Sequence, residues 1–137
     1  MIAKAYQQYQ RVQSETATAG QTIVLLYGGA IRFLCRAEQR QAAGDQNGFR
    51  ADIRRAQEIL TELAGGLDLQ RGGELAHNLF RLYRYLITRA GEADCKRDPT
   101  ALPEVVGLLR ELKATWEEAL ERLAAPTPLA EHAAKVA

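Results

Sequence analysis

The chain has 137 residues and a formal net charge of +1, with 47% hydrophobic and 26% charged residues. This length and balance are typical of one globular domain that is large enough to bury a core. The near-neutral charge gives no general attraction to nucleic acid or to an anionic membrane. No stretch reaches about 18 uncharged apolar residues, and the first residues lack an apolar signal core, so we expect a cytoplasmic protein with no membrane insertion.

The two ends of the chain lack the pattern of a bundle helix. Residues 1–17 are polar and carry spaced tyrosines at Tyr6 and Tyr9, which favours an extended or loosely helical N-terminal arm. Residues 125–137, APTPLAEHAAKVA, are rich in alanine and proline, which predicts a short fifth helix or a disordered tail.

Between these ends, apolar residues recur at helical spacing in four segments. Thr18, followed three residues later by Gln21, fits a capping box at the start of the first segment. The segments are separated by AAGDQNG, GGLDLQRGG and RDPT, which are rich in turn residues. The predicted helices lie at about 18–43, 49–65, 74–96 and 100–124. Short connections favour antiparallel neighbours, so we predict an all-α, up-down four-helix bundle over residues 18–124.

The third predicted helix is unusually apolar around its circumference. In NLFRLYRYLITRA, residues 78–90, only Arg81 and Arg84 interrupt the apolar residues between Leu79 and Ile87. The apolar side chains cover roughly 220° of the helix, about twice the stripe that a surface helix needs. Either this helix is flanked on two sides within the bundle, or one flank forms a groove for a partner helix. In the second case, the N-terminal arm covers the groove when no partner is bound.

Residues with catalytic or metal-binding chemistry form no convincing pattern. Glu74 and His77 match the E-x-x-H pair of di-metal bundles, but a second pair is missing, and His77 falls on the polar side of its helix. Cys35 and Cys95 are far apart in sequence and are typical of reduced, packed thiols. We therefore predict no enzyme activity, no cofactor, no metal and no nucleic-acid partner.

Four stretches together resemble the FliS family of flagellar secretion chaperones. They are AYQQYQ at 5–10, TATAGQTIVLLYGGAIRFL at 16–34, NLFRLYRYL at 78–86 and PEVVGLLRELKATWEEA at 103–119. The resemblance covers about 5–123 in order and spacing. The chain departs from the usual family pattern in three places, with Thr18-Ala19-Gly20-Gln21 in place of Ser-Pro-Glu-Glu, Thr22 in place of leucine, and Ala90-Gly91 in place of a larger apolar residue.

The resemblance implies a cytosolic export chaperone for flagellin. Such proteins bind the C-terminal segment of unpolymerised flagellin, which is disordered when free, and keep the subunit ready for the flagellar type III export gate. We expect a monomer or weak dimer, with Tyr6 and Tyr9 capping the empty groove. The candidate groove residues are Leu67, Leu69, Leu79, Tyr83, Leu86, Val106 and Leu109, whereas Tyr27 and Trp116 are expected in the core. The alternative from the residues alone is a helical adaptor that dimerises through its wide apolar face.

Overall fold

The computed structural model describes residues 2–124, apart from the side chains of Tyr9 and residues 12–17. This part of the chain forms four helices and no strand: α1 (Ile2–Ala42), α2 (Gln46–Gly65), α3 (Gly73–Cys95) and α4 (Ala101–Ala124). The predicted all-α helical bundle is therefore confirmed. The predicted tail at 125–137 lies outside the described residues.

The four helices are arranged around a square, in which each helix packs against the next one along the chain and α4 packs against α1. Consequently α1 and α3 face each other across one diagonal, and α2 and α4 across the other. Neighbours run in opposite directions, as the contact of Gly20 with Leu120 on α4 and the bond from Arg50 on α2 to Asp94 on α3 show. Packing of this kind is expected for helices joined by short loops.

The first helix begins much earlier than the sequence pattern predicts. α1 starts at Ile2, so the segment expected to form a separate arm continues the helix, and Thr18 lies inside it rather than at its cap. The carbonyl of Thr18 accepts a hydrogen bond from the Thr22 hydroxyl one turn later, at 3.1 Å. The physical reason is that residues 2–19 contain no proline or glycine and are rich in good helix formers.

The core fills the centre of the bundle with side chains from all four helices. Each helix contributes residues at helical spacing, which is why four amphipathic segments suffice to enclose it. The largest fully buried side chains are Tyr27, Tyr83, Phe49, Leu34, Leu60, Leu86, Leu109 and Val105.

One end of the bundle, which carries the α1–α2 and α3–α4 loops, is held by charged networks. Asp52 is 2% exposed and accepts two hydrogen bonds from Arg36, at 2.8 and 3.0 Å, and one from Arg40, at 2.7 Å. Arg40 also pairs with Asp45 at 2.8 Å, and Asp45 caps α2 by accepting from the backbone N–H of Gly48 at 2.9 Å. The α1–α2 connection is thereby fixed to both of its helices.

The α3–α4 loop is fixed in the same way around a single guanidinium. Arg89 on α3 bonds to Asp98 at 2.7 Å, to the Thr100 hydroxyl at 2.9 Å, to Glu104 at 3.2 Å and to Glu92 at 3.4 Å. Because these partners come from α3, the loop and α4, the network joins both helices to the turn. We call this end of the bundle the closed end.

One segment, Thr18–Ala42, is long and apolar enough by length and composition to cross a membrane, a test that core helices of soluble proteins also pass. Within the bundle, its residues Tyr27, Ala30, Leu34 and Ala37 are fully buried. Their apolar character is thus accounted for by packing against the other helices.

Candidate binding groove

An apolar groove of about 340 Å³ opens at the end of the bundle opposite the closed end. Its walls come from α1, the last turns of α2, the α2–α3 loop, the first half of α3 and the last half of α4. We call this feature the groove, and it is lined by Ile23, Leu26, Glu62, Leu63, Gly66, Leu67, Asp68, Gly72, Leu75, Ala76, Leu79, Tyr83 and Trp116. Glu62 and Asp68 are the charged residues of this lining, and most of its other residues have apolar side chains.

The α2–α3 loop has a defined conformation that places its leucines. The Asp68 carboxylate accepts from the backbone N–H groups of Gln70 and Arg71, at 3.1 and 3.0 Å, which is an Asx-type turn. Gly72 is tightly enclosed, because a Cβ there would lie 2.7 Å from the carbonyl oxygen of Asp68. Gly73 has a φ of +57°, a conformation that glycine adopts without strain, and it begins α3. This turn directs Leu67 into the groove.

A hydrogen-bonded chain of three aromatic side chains lies at the floor of the groove. The Trp116 indole N–H donates to the Tyr27 hydroxyl at 3.1 Å, and the Tyr27 and Tyr83 hydroxyl oxygens are 2.5 Å apart. Tyr83 and Trp116 line the groove, whereas Tyr27 is fully buried beneath it. The chain therefore connects α4, α1 and α3 at the level where the core ends and the groove begins.

Burial disfavours ionisation of these two phenols. It raises the pKa of Tyr83, and the hydrogen bond to Tyr27 raises it further. Burial also raises the pKa of Tyr27, although its bonds to Tyr83 and Trp116 act in the opposite direction. Both side chains therefore serve as hydrogen-bonding groups and not as charges near neutral pH.

The described residues offer no site for metal chemistry, since no group of three or more His, Cys, Asp or Glu side chains among them could hold an ion. His77, one half of the E-x-x-H pair, is exposed, and its Nδ1 lies 2.8 Å from the carbonyl oxygen of Gly73 within the first turns of α3. The apolar groove is thus the feature of this fold with the clearest capacity to bind a partner.

The structure brings three of the predicted groove residues together. Leu67, Leu79 and Tyr83 line the groove, with Tyr83 only 2% exposed at its floor. Leu69 does not line it and instead lies on the outside of the loop, 37% exposed.

Three other predicted groove residues are placed elsewhere. Leu86, Val106 and Leu109 are buried in the core on the closed-end side of Tyr83. They are apolar and recur at helical spacing, but that spacing is the same for a core position and for a groove position on one helix. Their burial removes them from the groove lining.

Tyr6, one of the two predicted capping residues, lies apart from the groove in this structure. Tyr6 is half-buried on α1, and its backbone lies about 25 Å along the helix from Ile23, the first groove residue of α1. The side chain of Tyr9 lies outside the described part of the chain. Their predicted role as a cap is not tested by this arrangement.

Sequence reasoning missed several residues that line the groove. Leu75 is the most prominent, since it is 70% exposed although it is a large apolar side chain. It lies four residues before Leu79, so helical spacing alone would have placed it on the same flank. Trp116, which was expected in the core, is half-buried and forms part of the groove wall. Ile23 and Leu26 complete the wall from α1.

A bundle that is closed by ion networks at one end and open as an apolar groove at the other belongs to the class of helical binding proteins. The profile of one family, described as Flagellar protein FliS, matches residues 2–123. The chain therefore belongs to the FliS family, which is a family of secretion chaperones and not of enzymes.

Curated relatives agree with this assignment. Flagellar secretion chaperone FliSB of Pseudomonas aeruginosa is 38% identical over 121 residues, covering 83% of this chain and 94% of that protein. Flagellar secretion chaperone FliS of Salmonella typhimurium is 36% identical over 118 residues, covering 84% and 87%. The protein of the same name from Bacillus subtilis is 30% identical over 120 residues, covering 88% and 89%.

Proposed function

We propose that this protein is a cytoplasmic export chaperone that holds the C-terminal segment of flagellin in the groove. Binding there would prevent premature polymerisation and keep the subunit ready for the flagellar type III export gate. The observation that carries the proposal is an open, apolar groove in a chain that belongs to a secretion chaperone family.

The groove has the properties that a disordered amphipathic client requires. A segment that folds as it binds loses conformational entropy, so it must bury extensive apolar surface, typically ~1,000–3,000 Å². Leu75 offers exposed apolar surface at the groove, and Leu79 and Trp116 are half-buried and gain further contacts when the groove is filled. An amphipathic helix that places residues at i, i+3, i+4 and i+7 into such a groove is a common mode of peptide recognition.

The closed end complements this role because it stabilises the bundle without the client. The networks around Asp52 and Arg89 hold both loops of that end. Among the described residues of the groove end, the Asp68–Arg71 pair is looser, with its nearest charged atoms 3.9 Å apart. A chaperone whose ionic networks lie at one end and whose groove lies at the other remains folded while the groove is empty.

We also propose that residues 1–17, with Tyr6 and Tyr9, shield the empty groove. Because α1 is helical from Ile2, shielding requires the helix to bend between Tyr6 and Ile23. Gly20 lies in that stretch and has the weakest helix propensity there. Deleting residues 1–17 should then speed association with the client severalfold in stopped-flow measurements, and an unchanged association rate would contradict shielding.

The test of the proposed function is calorimetric titration with the C-terminal segment of flagellin from the same organism. We expect one-to-one binding with a clearly negative heat-capacity change, the mark of apolar burial. Sedimentation of the free protein should show a monomer or weak dimer. A tight dimer that does not bind the segment would instead support the helical adaptor.

A further inference from the structure

A second apolar face lies on the outside of the bundle, where α1 packs against α4. It contains Val24, Leu25 and Leu120, and Leu25 is 70% exposed. The two helices are in close contact here, since a Cβ added to Gly20 would clash with the Leu120 side chain. None of these residues lines the groove, so this is a separate surface, which we call the α1–α4 face. Single exposed leucines are common, but three neighbouring apolar side chains form a patch that another element can cover.

Acidic side chains border the α1–α4 face along α4. Glu117 and Glu121 are one helical turn apart, and both lie beside Leu25 on this face. Glu117 is paired with Lys113 at 3.4 Å, whereas Glu121 has no ion pair among the described side chains. Two carboxylates at this spacing repel each other, so a cation beside them is favourable. The face therefore suits an occupant that combines apolar side chains with positive charge.

The chain continues beyond α4 close to this face. α4 ends at Ala124, and Leu120 lies one turn earlier, roughly 6 Å along the axis. Proline cannot continue a helix, so we expect the chain to turn away from the axis of α4 at Pro126 and Pro128. The tail, residues 125–137, therefore begins within easy reach of the α1–α4 face.

The sequence of the tail has the pattern of a short amphipathic helix. Thr127 followed by Pro128 fits an N-cap and a first helical position. His132 and Lys135 are one turn apart on a single flank of the predicted helix, and Glu131 falls on the side opposite its apolar stripe. The stripe, with residues at i, i+4 and i+7, consists of Leu129, Ala133 and Val136.

We propose that the tail folds back onto the α1–α4 face as a short helix and covers it. Its apolar stripe packs over Leu25 and the neighbouring apolar side chains, and Lys135 lies against Glu117 and Glu121. At 1.5 Å per residue, LAEHAAKVA forms a helix about 13 Å long, enough to cover two turns of both α1 and α4. Apolar contact supplies most of the stabilisation, since exposed ion pairs contribute little. The inference is independent of the proposed function because it concerns a different surface.

Covering the α1–α4 face leaves the groove as the surface through which a partner binds. An uncovered apolar patch would offer a second site for association, including association with another copy of the chain. The tail is a suitable occupant because it belongs to the same molecule. Its effective concentration at the face is therefore high whatever the concentration of the protein.

Hydrogen–deuterium exchange of the 137-residue chain, followed by mass spectrometry, tests this docking. A helix as short as the tail is not stable alone in water, so its amides are protected only when it is docked. In the wild type, exchange at residues 129–136 should be at least about tenfold slower than in an unstructured chain. Amides of the buried core report in the same experiment whether each variant is folded.

Leu25→Ser and Leu75→Ser form a matched pair, because both leucines are 70% exposed and only Leu75 lines the groove. Leu25→Ser should remove the protection of the tail, and Leu75→Ser should leave it unchanged. Lys135→Glu should reduce the protection, and adding Glu121→Lys should restore part of it.

Four results would overturn the inference. A tail that exchanges at the unstructured rate in the wild type is not docked. Protection that survives Leu25→Ser, or that is lost in Leu75→Ser, would mean that the tail does not lie on the α1–α4 face. Protection that increases with protein concentration would mean that the tail binds a second copy of the chain.

Discussion

The hydroxyl oxygens of Tyr27 on α1 and Tyr83 on α3 lie 2.5 Å apart, although these helices are diagonal partners in the bundle. The two side chains meet at the centre, and the Trp116 indole joins them from α4. Buried polar groups that are bonded in this way specify one arrangement of helices, because a shifted helix would leave donors unpaired. The pair therefore links the stability of the core to the shape of the groove.

The tyrosine pair should make the protein sensitive to alkaline pH. Burial, the largest cause, raises the pKa of both Tyr27 and Tyr83 above the ordinary value. Above pH ~10 the unfolded chain loses these protons while the folded chain keeps them, so the free energy of unfolding falls as pH rises.

Denaturant unfolding at neutral pH and above pH ~10 measures this slope. The double variant Tyr27→Phe/Tyr83→Phe should show a shallower decline than the wild type. Equal slopes for the two proteins would mean that these hydroxyls do not carry the alkaline sensitivity.

Asp52 is expected to contribute more to stability than any exposed carboxylate of the bundle. Its carboxylate is almost fully buried and is bonded to Arg36 and Arg40. Asp52→Asn keeps the shape but removes the charge, and should lower the free energy of unfolding by about 2 kcal/mol. Asp94→Asn is the matched control, since Asp94 pairs with the exposed Arg50 at 3.1 Å and should cost less than about 1 kcal/mol. Chemical denaturation of both variants distinguishes them, and equal effects would contradict the assigned role of Asp52.

Acid should destabilise the closed end. Hydrogen bonds from Thr100, followed by those from Arg89, hold the pKa of Asp98 well below its ordinary value. A carboxylate with a lowered pKa contributes stability above its ordinary pKa near 4, and that contribution is lost as pH falls toward the folded value. The free energy of unfolding should thus decline below pH ~4, and Asp98→Asn should reduce the decline. Denaturant unfolding of the wild type and of Asp98→Asn across that pH range measures this decline. The same pH dependence in both proteins would contradict the prediction.

Gly72 should tolerate no side chain, whereas Gly65 should. A Cβ on Gly72 would lie 2.5 Å from the Ala76 Cβ and 2.7 Å from a backbone oxygen that cannot move independently. Gly72→Ala should therefore lower stability by about 2 kcal/mol and displace the loop that carries Leu67. Gly65→Ala meets no atom within 4 Å, and should be neutral or raise stability by up to about 1 kcal/mol. Thermal unfolding of the two variants tests this prediction. Equal changes in their melting temperatures would contradict it.

The number of bundle helices and their approximate bounds were predictable, because each segment repeats its apolar residues at helical spacing and ends in turn residues. The end of α2 at Gly65 and the start of α3 at Gly73 follow directly from the GGLDLQRGG loop. The start of α1 was not predictable from the sequence. The capping pattern at Thr18 and Gln21 also occurs inside a continuous helix when no residue before it breaks that helix.

The groove was only partly predictable. Periodicity identified the apolar flank of α3 but could not separate Leu79, which faces the groove, from Leu86, which is in the core. That difference depends on where along the bundle the neighbouring helices diverge, which is a property of the assembled fold. In the structure α2 and α4 flank α3, which accounts for much of its wide apolar surface, and the first half of α3 also faces the groove.

The most direct test of the account compares two leucines that are equally exposed. Leu75 and Leu25 are each 70% exposed on a helix, but only Leu75 lines the groove. Leu75→Asp and Leu25→Asp should both fold, and Leu75→Asp also places an acidic residue in the first turn of α3, where it is favoured. Calorimetric titration with the flagellin C-terminal segment should show at least about tenfold weaker binding for Leu75→Asp than for Leu25→Asp. Wild-type affinity in a folded Leu75→Asp variant would contradict the claim that the client binds in this groove.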